Sequence, residues 1–179
     1  MERIFIQSIG KIRKLKEKIE KSLNVRITFT KSDIEIESPE DDAYAEYIAR
    51  KIIDALQYGF TLESALNLKN EDCMIEKINV KDYSRPSRWR AIVSRLIGEK
   101  GRTKEIISEM TGCEVAIHDY TVAIIGDTAD VSIATHAIQS LINGSPHATV
   151  YAYLERNRKF RKYSEEDLGL KKAFRKVRL

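Results

Sequence analysis

Cysteine is scarce in this 179-residue chain, with Cys73 and Cys113 as its two representatives. They form no CxxC pair, and two thiols cannot close a four-ligand zinc site. The three histidines, His118, His136 and His147, show no ligand spacing that would complete one. The pattern predicts two buried or half-buried thiols in a reducing compartment. Long apolar runs are missing as well. None approaches the roughly 18 residues needed to cross a bilayer, so no membrane segment is expected. The N-terminal MERIFIQSIGKIRKLKEKIEK is interrupted by charge too early to read as a signal or transit peptide. A cytoplasmic location is the expectation.

Catalytic constellations are also lacking. No Ser/His/Asp or Cys/His arrangement stands out, and the G-x-x-x-x-G-K-[ST] spacing of a phosphate-binding P-loop is absent. Carboxylates are plentiful at Glu35, Glu37, Glu40, Asp41 and Asp42. The last three could hold a metal for a nuclease. Their place between a strand and a helix explains them more simply, because acids favour the positive end of a helix. His118 beside Asp119 is a tempting acid–base pair. Adjacent strand residues point to opposite faces, however, so pairing would require the following turn to reorient them. The sequence therefore assigns no catalytic residue, no metal ligand and no cofactor.

Positive charge is missing from one long stretch. Residues 105–154 contain six acids and neither Lys nor Arg. Residues 1–79 carry 13 Lys and Arg against 15 acids, residues 80–104 carry 8 against 2, and residues 155–179 carry 10 against 4. The overall balance of +4 is thus concentrated in two basic blocks. A footprint for a polyanion and a pair of solvated faces both fit that distribution. Hydrophobic residues make up 42% and charged residues 32%, which is the balance of a globular chain, not a disordered one.

A shift of 88 positions lays residues 10–38 over residues 98–126 without a gap. Gly10 meets Gly98, Lys16 meets Lys104, Ile19 meets Ile107, Ile27 meets Val115, Ile34 meets Val122 and Ile36 meets Ile124. One inserted residue later, Ala45, Ile48, Ile52 and Ile53 lie over Ala134, Ala137, Leu141 and Ile142. The period is too long for a solenoid, so each copy reads as a domain.

In the second copy, residues 74–81 predict a strand. Ser84 is a candidate helix N-cap, with Pro86 in the first turn. Trp89, Ile92, Val93, Leu96 and Ile97 recur at helical spacing. Gly98-Glu99-Lys100-Gly101 interrupts, and a second helix follows from Arg102 with Ile106, Ile107 and Met110 inward, ending at Gly112. Val115 and Ile117 alternate in a strand, Asp119-Tyr120 turns the chain, and Val122 and Ile124 alternate in the next. Asp127 or Thr128 caps a last helix that Gly144 and Pro146 close. The order is β-α-α-β-β-α.

That order, with Ile97-Gly98-Glu99-Lys100-Gly101 between its first two helices, resembles the KH domain. Two glycines let the backbone pass close to a sugar–phosphate chain without interference from Cβ. The helix that follows offers free N–H groups and the positive end of its dipole. In KH domains such a loop clamps about four unpaired nucleotides against a hydrophobic groove. The basic residues Arg88, Arg90, Arg95, Lys100, Arg102 and Lys104 crowd this stretch. Glu99 is an acid inside the clamp, placed either to weaken phosphate binding or to select a base or ribose. The RNA-binding set expected from the resemblance is Arg88, Arg95, Ile97, Gly98, Glu99, Lys100, Gly101, Arg102, Lys104, Ile117 and His118. In the first copy Arg13 stands where the second glycine should be, and the run from the first strand to Gly10 is too short for a preceding helix. Its basic helix, from Lys11 to Lys21, fits a solvated surface at least as well as an RNA contact.

A degenerate first KH domain followed by RLIGEKGRTKEIISEMTG, TVAIIG and GSPHATVY is similar to the archaeal two-KH ribosome-assembly proteins. The resemblance implies two tandem type I KH domains in an α/β (α+β) chain, the first lacking its first helix, plus a C-terminal helix. The expected divisions are 1–73, 74–146 and 147–179. It also implies binding of single-stranded RNA near the 3′ end of pre-16S rRNA. The implied protein partners are a ribosome-assembly endonuclease or the alpha subunit of translation initiation factor two. Residues 148–160 read as a docked helix and residues 164–167 as the start of a separate short one. Arg156, Arg158, Lys159, Arg161 and Lys162, beside Phe160 and Tyr163, are auxiliary RNA-binding candidates. Two other classes remain open at this stage. One is a general KH protein of mRNA or of an RNA-degrading complex; the other is a protein-interaction adaptor.

Overall fold

The computed structural model describes residues 2–5, 9–30, 33–39 and 42–167, with side chains for residues 10, 12–30, 33–39 and 42–160. Two three-stranded antiparallel sheets organise the chain. The first half runs β1 (Glu2–Phe5), α1 (Ile9–Leu23), β2 (Arg26–Phe29), β3 (Asp33–Glu37), α2 (Ala43–Gln57) and a short α3 (Leu62–Leu66). The second runs β4 (Cys73–Asn79), α4 (Trp89–Ile97), α5 (Arg102–Thr111), β5 (Glu114–His118), β6 (Thr121–Asp127) and α6 (Thr128–Ile142), and is followed by α7 (His147–Asp167). The strand orders are β1-β3-β2 and β4-β6-β5, so the repeat seen in sequence is a repeat of topology. The first copy passes from β1 to its single helix α1 across three residues, too few for a helix of the length of α4.

Local chemistry sets the element ends. Asp42 caps α2, its carboxylate accepting from the amides of Tyr44 and Ala45. Asp127 caps α6 by accepting from Ala129. Gly112 ends α5 in the left-handed conformation at φ 74°. Ser84 is not the cap expected before α4. Pro86 holds residue 85 extended, so Arg85 takes the cap position of a 3-10 turn, Pro86–Arg88, that feeds α4. The Ser84 hydroxyl donates back to the Val80 carbonyl, and the Ser84 carbonyl accepts from Trp89 Nε1. The tail also differs from expectation. α7 is one helix from His147 to Asp167, not two, because residues 161–164 include neither glycine nor proline to break it.

Each half has its own core, and one strand serves both. On β6, Val122 and Ile124 face a core built with Ile78, Ile92, Leu96, Ile107, Val115 and the α6 side chains. Ala123 and Ile125 face the other way, into the core of Ile12, Ile19, Ile27, Ile34, Ile36, Ile52 and Ile53. The register agrees: Ile75 lies opposite Ile125 and Ala116 opposite Ala123, all on the side of the first half. Lys77, on that same face of β4, reaches Asp54 of α2 at 2.7 Å and lies over the Tyr58 ring. Burial opposes charging of its ammonium, but the Asp54 hydrogen bond and charge outweigh this and hold the lysine pKa above its ordinary value.

Neither thiol is in a disulfide; Cys113 is buried and Cys73 half-buried. Burial, helped by the Asp127 charge, pushes the Cys73 thiol up, away from a reactive thiolate. Among the described residues no helix is long and apolar enough to cross a membrane.

The two-sided strand gives a test. Ile125→Ala removes buried volume from the first core while leaving the second facing Ile124. We expect a loss of about 2–5 kcal/mol, read as a lower urea midpoint. Fluorescence of Trp89, which packs on the second core, should report the same midpoint as far-UV circular dichroism if the shared strand couples the halves.

Candidate nucleic-acid interface

The glycine pair sits between two helices that cannot be joined by ordinary backbone. α4 ends as the Gly98 amide donates to Ser94 O at 2.9 Å, and Gly98 turns the chain at φ 75° and ψ 177°. That combination is open only to glycine. A Cβ built there would lie 2.2 Å from Thr103 Oγ1 and 2.8 Å from the Thr103 backbone nitrogen. A single 3-10 turn, Glu99–Gly101, follows, with Lys100 itself left-handed at φ 53°. Gly101, at φ 85°, is the N-cap of α5, and no side chain caps that helix. The Arg102 amide is taken by the Glu99 carbonyl, and the amides that follow it in the first turn of α5 have no side-chain cap, in the arrangement that binds anions.

In the first half the corresponding residues form no loop at all. Gly10 to Arg13 lie within the opening turns of α1. The Arg13 guanidinium lies 5.3 Å from the centre of the Phe29 ring, Lys16 also approaches that ring, and Ile12 is fully buried.

The residues selected from sequence fall into three places. Around the loop itself, Glu99, Lys100 and Arg102 are exposed, Lys104 is half-buried, and Ile97 is 38% exposed, left out of the core its helix otherwise joins. At the opposite end of α4, Arg88 is exposed near the β5–β6 turn, where Trp89 packs on Tyr120 at 5.3 Å and Lys81 lies over both rings. Ile117 is half-buried against the second core, and His118 is exposed. Asp119 adopts φ 52°, and this turn brings its carboxylate within 3.6 Å of His118 Nδ1, so the two side chains do meet.

Arg95 occupies the third place. It turns toward the α6–α7 connection, donating to the Ser145 carbonyl, while the Arg95 carbonyl lies 3.3 Å from His147 Nε2. Along α7, Arg156, Arg158 and Lys159 are exposed, and Lys159 pairs with Glu155 at 3.0 Å. Arg161 and Lys162 continue the helix, with side chains outside those described.

Sequence reasoning missed His147 and Tyr151. They stand on one face at the start of α7 and, with Ser94, Gly98, Arg102 and Ile106, wall a recess of about 310 Å³ beside the loop. The Tyr151 hydroxyl donates to Thr103 Oγ1 at 3.1 Å. Both lie in the GSPHATVY run that carries the family resemblance, at i, i+4 spacing just after Pro146.

The two glycines should respond differently to substitution. Gly98→Ala meets both forbidden backbone and Thr103, whereas Gly101→Ala meets open space and only the left-handed cost of about 1–2 kcal/mol. We expect Gly98→Ala to lower the melting temperature clearly more than Gly101→Ala, and Gly101→Asn to be milder still, in parallel thermal melts.

The geometry can be set against known proteins. Residues 74–159 match the family described as eukaryotic type KH-domain (KH-domain type I). The KH domain-containing protein MJ0443 of Methanocaldococcus jannaschii is 34% identical over 169 residues, covering 92% of this chain and 74% of that protein. The pre-rRNA-processing protein PNO1 of Coccidioides immitis is 30% identical over 138 residues, 74% of this chain, and the match spans about half of that longer protein, 54%. The Dim2p chain in the crystal structure of an a/eIF2alpha-aDim2p-rRNA complex from Pyrococcus horikoshii superposes with a TM-score of 0.80 at 39% identity, covering 88% of this chain and 93% of that one. On its sequence, its repeat of topology and these matches, the chain belongs to the archaeal KH-domain family of ribosome-assembly proteins.

Proposed function

We propose that this protein binds RNA without catalysing a reaction, and that it grips single-stranded pre-16S rRNA near its 3′ end during assembly of the small ribosomal subunit in the cytoplasm. The observation that carries this is the Gly98–Gly101 turn, whose helix α5 starts without a side-chain cap among Lys100, Arg102 and Lys104. α4 separates that turn from Arg88 by about 13 Å, from nine residues at 1.5 Å each. Four stacked nucleotides at about 3.4 Å apiece span a similar length. Ile97 and Ile117 would then supply the apolar wall for the bases, with His118 stacking on or hydrogen-bonding to one of them. Arg156, Arg158, Lys159, Arg161 and Lys162 add auxiliary backbone contacts along α7. The names of the relatives support an RNA of the ribosomal precursor, since one is a pre-rRNA-processing protein and another was crystallised with rRNA.

The chain divides in this reading into a first domain at 1–73, an RNA-gripping domain at 74–146 and a C-terminal helix and tail at 147–179. The first domain, which has a continuous helix where the loop would be, serves protein contacts. Its α2 exposes Tyr44 and Tyr47, the latter with Lys51 over its ring at 4.5 Å, and aromatic side chains of this kind are enriched in protein interfaces. The partners of this surface are the alpha subunit of translation initiation factor two, named with the Pyrococcus neighbour, or a ribosome-assembly endonuclease.

Affinity for an oligonucleotide from the mature 3′ end of 16S rRNA tests the division of labour. Glu99→Asp with Lys100→Asp should weaken binding at least tenfold. The charge-matched change in the first half is Lys14→Asp alone, at an exposed position, since Glu99→Asp leaves charge unchanged and Ile12 is core; it should change binding less than threefold. Equal losses would reject the assignment. Annealing the oligonucleotide to its complement should leave only a salt-sensitive background, and undiminished duplex binding would reject the groove. Each true phosphate contact should contribute about −0.7 to the log–log salt slope.

A further inference from the structure

The Gly-Ser-Pro-His stretch at 144–147 looks in sequence like a helix stop and no more. In the fold it is one side of a reciprocal latch. Arg95, in the last turn of α4, donates to the Ser145 carbonyl, and its own carbonyl is approached by His147 Nε2 at 3.3 Å across 52 residues of chain. Pro146 O accepts from the Thr149 and Val150 amides and so opens α7, while Val150 and Leu154 bury themselves in the second core. The latch places the first two turns of α7 against the flank of the glycine loop and leaves the 310 Å³ recess between them. That volume lies at the lower end of small-ligand sites. We propose that this recess is a nucleotide subsite, and that it takes the ribonucleotide next to those held at the loop. The inference rests on the reading of the loop as an RNA grip.

Three features point to that ligand. The recess opens beside the uncapped start of α5, where the Arg102 side chain provides a cation for the phosphate that continues the strand. Glu99 faces the same space and is an acceptor, able to receive a ribose 2′-hydroxyl but nothing from a phosphate. The third wall is aromatic. Tyr151 spends its hydroxyl on Thr103 and stands tilted against the His147 ring at 5.9 Å, so it meets the recess as a fixed ring. Fixed rings hold bases by stacking, with little regard to sequence. A free phosphate would use Arg102 and have no use for Glu99 or Tyr151. An unpaired ribonucleotide uses all three.

The test uses the full chain and fluorescently labelled RNA from the mature 3′ end of 16S rRNA. A core oligonucleotide is compared with versions lengthened by one ribonucleotide at either end. Lengthening at one end should tighten wild-type binding about tenfold, the scale of one base on an aromatic ring. Within each variant, the ratio of lengthened to core affinity should fall to about one in Tyr151→Leu and persist in Tyr151→Phe, which keeps the ring and loses the hydroxyl. Should both variants disturb the loop, 4-thiouridine at the added position supplies an independent reading, since irradiation of the wild-type complex should attach it within residues 147–151. A wild-type ratio of one at both ends, a ratio that survives Tyr151→Leu, or attachment elsewhere would overturn the subsite. Absence of binding to the core oligonucleotide itself would instead overturn the RNA grip on which the subsite rests.

Discussion

Val122 and Ile124 point into one hydrophobic core and Ala123 and Ile125 into another, and this double use of β6 is the constraint under which the rest of the molecule is built. A strand with one solvated face alternates polar and apolar residues; β6 cannot, and four successive residues are buried. Gly126 belongs to the same packing, because a Cβ there would lie 2.7 Å from the Cys113 sulfur. The second sheet is therefore a middle layer, with α4, α5 and α6 on one side and the helices of the first half on the other. The first half in turn covers an apolar face that the second would otherwise expose to water. Its outer sheet surface, carrying Arg26, Thr28, Glu35 and Glu37, stays polar.

The two copies show how few residues separate a broken helix pair from an unbroken helix. Where the second has Gly98 and Gly101, the helices break and α5 starts without a side-chain cap. Where the first has Gly10 and Arg13, the same stretch is the opening of α1 without a break, and Ile12 enters the core. The first copy spends its charge on structure. The Glu20 carboxylate accepts from the Ile27 amide at 2.7 Å, and Lys16 lies 3.7 Å from Glu20.

Much of this was legible because it is local or periodic. The 88-residue repeat, the β-α-α-β-β-α order, the cap at Asp127 and the break at Gly98 each rest on a short window of side-chain pattern. What stayed hidden needed longer range or had too few residues. α3 has five residues, less than two turns, and offers no period to read. Ser84 has the side chain of a cap, but Pro86 holds Arg85 extended and so moves the cap position one residue on. That β6 faces a second core follows from the run Val122-Ala123-Ile124-Ile125 only when the partner across the sheet is known. The recess depends on contacts such as Arg95 with Ser145, 50 positions apart, which no local pattern encodes.

α7 is more than an appendage to this arrangement. The Gly98–Gly101 turn holds a non-glycine residue, Lys100, in the left-handed region, a conformation that costs about 1–2 kcal/mol and persists only if the surroundings fix it. Thr103 is what lies against Gly98, and its side chain is held by the Tyr151 hydroxyl. Tyr151 is held by the docking of Val150 and Leu154, and the helix start by Arg95 and His147. The conformation of the loop is thus referred, contact by contact, to a helix that lies after the β-α-α-β-β-α unit. This accounts for a family match that runs through residue 159 instead of stopping at the end of α6. It also accounts for the charge map. Residues 105–154, which form most of α5, β5, β6, α6 and the start of α7, carry neither Lys nor Arg, and the first basic block, residues 80–104, lies on α4 and the glycine turn before them, where Lys100 and Arg102 meet solvent.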